Sequence, residues 1–170
     1  MAARVEAWQS GPVAGVPALL QPVAHALMNC REQLVEAIEG LSGEQLRTKP
    51  SDVASIEFHV RHAIGSLDRL FTYARGESLS DEQREYLAAE KAPSSLSSRE
   101  LASNFDVAVE KAVTQLRATD ESSLTDAREV GRARLPSTVI GLLFHGAEHT
   151  ARHTGQVVTM ARLVRSAQET

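Results

Sequence analysis

Apolar residues recur at spacings of three and four along four separate stretches of this 170-residue chain, and no stretch alternates apolar with polar in the manner of a half-buried strand. That periodicity puts one apolar face on each of four helices, which can bury those faces only against one another. Ile56, Val60, Ala63, Ile64, Leu67, Phe71 and Ala74 mark the clearest face, running to Gly76. Before it, VAHALMNCREQLVEAIEGL reads as a first helix from Val16 or Pro22 to Glu39, with Pro22 suited to a first turn. Gly40, Ser42 and Gly43 end that helix, and GEQLRTKPSDVAS reads as a connection in which Ser51 or Asp52 is the N-cap of the second. Leu101, Phe105, Val109, Val113 and Leu116 define a third helix from about Arg99, with Ser98 before it. A last helix opens at Pro136 or Ser137 and runs to about Ser166. Between the second and third, DEQREYLAAEKA suits a short polar helix, and Ala118 to Pro136 reads as a loop. The expected fold is all-α, a four-helix bundle with a short extra helix or loop between helices two and three. A single domain over residues 1–170, with residues 1–15 as an N-terminal extension, fits the length.

Composition narrows the function. Eighteen Lys and Arg against 22 Asp and Glu, scattered rather than grouped, argue against nucleic acid as a partner. No run reaches the roughly 18 apolar residues of a spanning helix, and MAARVEAWQSGP lacks the apolar core of a signal peptide. With Cys30 the single cysteine, a reducing, cytoplasmic setting without disulfides is expected.

The chemistry-bearing residues are histidines. On the last helix Val139, Leu142, Gly146, His149, His153, Gln156, Met160 and Leu163 form one stripe, so His149 and His153 are expected to face the interior one turn apart. Two imidazoles at i and i+4 can reach one ion, whereas a lone buried histidine is more often satisfied by one hydrogen bond. His145 lies about 80° around from His153, at the edge of the arc. A divalent ion needs a further ligand, and the second helix offers His59 and His62. The helical wheel places His59 nearer the apolar face and His62 toward its rim, and so favours His59. His145-Gly-Ala-Glu148-His149 matches the HxxEH pattern, but Glu148 turns to the polar side, and no HExxH or ExxH is present to support a zinc-protease or di-iron reading.

The segments FHVRHAIGSLDRLFTYARGE (Phe58 to Glu77) and HGAEHTARHTGQVVTMARL (His145 to Leu163) resemble the DinB-like, or DinB/YfiT-like, superfamily of metal-dependent enzymes. The resemblance covers about residues 12 to 165 and is carried chiefly by the HxxxHxGQ pattern of the last helix. It implies a four-helix bundle holding a divalent transition metal, zinc or nickel foremost and manganese or iron as alternatives, on one histidine of the second helix and two of the last. Carried over, these are His62, His149 and His153, with His59 the alternative on the second helix. It further implies a small-molecule substrate, a low-molecular-weight thiol as cosubstrate of an S-transferase, or else a hydrolase, and a homodimer. A non-catalytic metal-binding or stress-related interaction protein is the alternative, and a fourth position closed by His145 or His59 would favour it. His25, His59, His145 and Gln156 are candidate pocket or supporting residues. Cys30 reads as a small buried hydrophobe rather than a nucleophile.

Overall fold

A computed structural model describes residues 5–167. The first four residues of the expected N-terminal extension lie outside the described part. The remainder of that extension is tied to the helices: Ala7 N donates to Asn29 Oδ1 at 2.8 Å, and Gln21 Nε2 donates to the carbonyls of Val13 and Val16.

The described chain is mostly helical. Its long helices are α1 (Gln21–Ile38), α3 (Ile56–Ala74), α5 (Ser98–Ala118) and α6 (Val139–Ser166), joined by short α2 (Gly43–Arg47) and α4 (Asp81–Ala89). α3 packs against α6 and α5, and α1 packs against the same two from the other side. The shared core is built from Leu27, Leu34 and Ile38, Val60, Ala63 and Leu67, Leu101, Phe105 and Val109, and Leu143, Val157 and Ala161. Fully burying each large aliphatic side chain is worth about 1.5–3 kcal/mol.

Several boundaries differ from the sequence expectation. Ser51 and Asp52 adopt positive φ, 50° and 62°, whereas an N-cap needs extended backbone. Ser55 caps α3 instead, its Oγ accepting from Phe58 N at 3.2 Å. Ser97 rather than Ser98 caps α5 in a capping box with Glu100. Ser42 and Gln45 form another such box and start α2, where a plain connection was expected.

The expected loop between α5 and α6 contains a hairpin. β1 (Ala127–Val130) pairs antiparallel with β2 (Leu135–Thr138), and α6 therefore starts at Val139 behind a Thr138 cap, three residues later than Pro136. Four-residue strands without a buried position are too short for their pattern to be legible. The hairpin has a structural role, since Arg128 Nε donates to the Ala74 carbonyl at 2.9 Å and satisfies an orphan acceptor at the end of α3.

The stripe expected on α6 is displaced. Thr150 and Thr154 are buried at the middle of the helix, His149 and His153 are half-buried beside them, and Gln156 and Leu163 are exposed. The expected stripe repeats every seven residues, while an α-helix closes at 3.6 per turn. A strict heptad pattern therefore drifts by about 20° per repeat off the face that a straight helix buries. The histidine pair consequently lies at the edge of the α3–α6 seam rather than in the core.

Candidate metal centre

α3 and α6 meet closely because Gly146 leaves room for a neighbouring ring: a Cβ there would stand 2.9 Å from Cε2 of Phe71. One turn further along the seam, the histidines of the two helices come together. His62, His149 and His153 each offer one ring nitrogen within 4.8 Å of the others, a grouping that could hold a metal ion. His62 Nε2 lies 3.0 Å from His149 Nε2. Tetrahedral zinc at 2.0–2.1 Å separates its ligand nitrogens by about 3.3 Å, so only small side-chain movements separate this cluster from a coordinating set.

Two of the three rings are held from behind or alongside. Phe58 stacks on His62 with centroids 5.4 Å apart and planes 8° apart. His62 Nδ1–H donates to Glu90 Oε2 at 2.8 Å, and Glu90 Oε1 accepts from Arg69 Nη1 at 2.6 Å. His153 Nδ1 pairs with His59 Nδ1 at 2.9 Å. His59 is buried, as the helical wheel expects, and His62 sits at the rim. The rim position is shared with His149 and His153, so the cluster opens at the side of the seam, whereas His59 contacts His153 from the buried side.

The remaining candidates are placed as follows. His145 is half exposed and faces Glu148 Oε2 at 3.4 Å, while Glu148 also binds Arg152. His25 Nε2–H donates to the Gly11 carbonyl at 3.0 Å, fastening the N-terminal segment. Gln156 is exposed on α6. Cys30 is a free thiol buried against Thr154, and burial pushes its pKa up, the opposite of an activated nucleophile.

Glu90 and Arg69 were not legible as site residues. Glu90 follows a helix without a buried residue, 28 positions from His62, and its pattern reads as a solvated face. Its carboxyl is nevertheless 3% exposed. Burial pushes that carboxyl up, but the bonds from His62 and Arg69 outweigh it and hold it below the usual range.

Burial lowers the pKa of His59 and His149, and that of His153 falls to about 4 through burial and the neighbouring His149, His62 and His59. His149 and His153 are thus neutral at pH 7, as metal ligation requires. Stability is linked to this. Because the folded His153 takes its proton well below the ordinary 6.5, the unfolded chain protonates first as pH falls. Its contribution is complete above pH 6.5 and lost on the way to pH 4; after discounting for solvent screening it is on the order of 1 kcal/mol. Urea unfolding of the chelator-treated protein at pH 7, 5.5 and 4.5 should show that decline, with a shallower slope in His153→Gln; equal slopes would show that His153 is not the group responsible.

This fold and site define a helical protein with a half-buried cluster of three imidazoles drawn from two adjacent helices. The family model of the DinB superfamily matches residues 26–157, and the chain belongs to that superfamily. Among solved structures, a conserved protein from Enterococcus faecalis is similar, with a TM-score of 0.71, 18% identity, and coverage of 87% of this chain and 98% of that one. At that identity the likeness concerns the fold alone. No curated protein matches. Among the described residues, no helix is long and apolar enough to cross a membrane.

Proposed function

We propose that the chain is a metal-dependent enzyme in which His62, His149 and His153 hold a divalent transition metal, zinc or nickel foremost and manganese or iron as alternatives. The four long helices act as a four-helix bundle, residues 1–170 as one domain, and a low-molecular-weight thiol is the cosubstrate of an S-transfer, with hydrolysis as the alternative reaction. The observation that carries an enzyme over a closed structural site is that, among the described residues, no fourth side chain joins the grouping: His59 is bonded to Nδ1 of His153, and His145 faces Glu148. A divalent ion held there would supply Lewis acidity, favouring the deprotonated form of a thiol or water that reaches an open position.

The chain's own residues do the rest. His62 and His153 are bonded to Glu90 and His59, the seam between α3 and α6 sets the spacing, and the three rings are half-buried, so part of each stays in contact with solvent. The buried free thiol Cys30 fits a reducing cytoplasmic setting, and a homodimer follows from the resemblance alone.

The test is cobalt substitution of protein purified without chelator. About one equivalent of cobalt with a visible spectrum of low-coordinate nitrogen ligation is expected, together with a new sulfur-to-metal charge-transfer band on adding a small thiol. A loaded protein whose spectrum ignores thiols would eliminate the S-transferase reading and leave hydrolysis. A protein that takes up no metal would eliminate both.

A further inference from the structure

We infer that Glu90 positions His62 for metal binding, which makes the end of α4 part of the metal centre rather than a cover over the helices. This rests on the metal reading above. Taking a carboxylate out of water is expensive unless its oxygens are satisfied, and here they are divided between two partners. Oε1 goes to Arg69 at 2.6 Å and Oε2 to His62 at 2.8 Å, whereas charge neutralisation alone would be served by a bidentate pair with the guanidinium. The second bond has a directional consequence. A proton held on Nδ1 of His62 leaves the Nε2 lone pair free, and Nε2 is the atom that faces His149. Carboxylate–histidine–metal arrangements work in this way, fixing the tautomer and raising the basicity of the ligand.

The surroundings are built to keep the carboxylate in place. Arg61, itself buried, donates to the carbonyls of Ala89, at 2.8 Å, and Ala92, on either side of Glu90. Glu57 Oε1 accepts from Ser94 N at 2.6 Å, and Tyr86 Oη–H donates to the Arg61 carbonyl at 3.1 Å. Gly65 of α3 supplies the space: a Cβ there would collide with Glu90 Oε1 and stand 2.7 Å from both Arg69 Nη1 and Tyr86 Cε1. Among the described hydrogen bonds, Glu90 is the carboxylate bonded to a ring of the three-histidine cluster.

The experiment is a zinc titration against a chromophoric chelator, run on the full chain as wild type, Glu90→Gln, Arg69→Met with Glu90→Gln, and Tyr86→Phe. Glu90→Gln should bind zinc about 10- to 100-fold more weakly. The double variant removes both buried charges, and so recovers thermal stability lost by Glu90→Gln while its zinc affinity stays low. It also carries the test should Glu90→Gln alone fail to fold. Tyr86→Phe loosens the same helix but keeps Glu90, and should bind as wild type. In metal-free protein the ring N–H proton of His62 should resonate downfield and exchange slowly, and move upfield in Glu90→Gln. Wild-type zinc affinity in a folded Glu90→Gln or double variant would overturn the positioning role and leave the metal reading standing. A wild type that binds no zinc would overturn the metal reading, and the positioning role with it.

Discussion

His149→Ala is expected to leave the protein folded but without stoichiometric metal, its affinity lower by roughly three orders of magnitude, or about 4 kcal/mol. The reason is geometric. His149 Nε2 stands 3.0 Å from His62 Nε2 across the α3–α6 seam, the shorter of the reaches that the proposed ion would bridge. Without it, two imidazoles remain, and water replaces the third donor. His62→Ala and His153→Ala should behave alike. His59→Ala should keep its metal with a loss of at most about tenfold, since His59 lies outside the three-histidine grouping and touches it through Nδ1 of His153. Because the three proposed ligands are half-buried rather than at the centre of the core, melting temperatures of the metal-free variants should stay close to that of the metal-free wild type. Plasma mass spectrometry of protein purified without chelator decides the matter: wild-type metal content in His149→Ala would remove His149 from the site.

The second large effect is expected at Gly146. A side chain there meets Phe71 Cε2 at 2.9 Å, Cδ2 at 3.2 Å and Leu67 Cδ1 at 3.4 Å, and both partners are themselves buried, so neither can swing into solvent. Gly146→Val must therefore push α3 and α6 apart, at a cost of about 1–3 kcal/mol for overpacking. Metal affinity should fall with stability, because His62 and His149 lie on those same two helices. Gly155 of α6 is the control. Nothing stands within 4 Å of its virtual Cβ, and Gly155→Ala should gain about 0.5–1 kcal/mol from helix propensity alone. Urea unfolding of both variants makes the comparison; a Gly146→Val protein as stable as wild type would contradict the close approach.

These expectations separate two kinds of information. The helices were legible because the period of apolar residues survives in any single sequence: Ile56 to Ala74 and Leu101 to Leu116 lie where their spacing predicts, with caps shifted by a few residues. Membership of the DinB superfamily was legible from two local motifs on those helices. The hairpin at Ala127–Thr138 was not, because two four-residue strands without a buried position are too short for a pattern to stand out in the sequence. Gln156 and Leu163 continue a seven-residue repeat yet are exposed, because over more than three repeats that pattern drifts off the buried face of a helix with 3.6 residues per turn.

The histidines illustrate the division most sharply. Spacing by itself determined that His149 and His153 share one side of a helix, since a covalent interval of four residues fixes their relative angle wherever the helix goes. It determined equally that His59 and His62 are offset on theirs. Which of those two meets the pair, which is kept behind it, and that a carboxylate from a polar helix completes the support were decided by tertiary structure. These depend on how α3 is rotated against α6 and where α4 ends, and such relations are set by packing at Gly146, Phe71 and Gly65 between residues far apart in the chain.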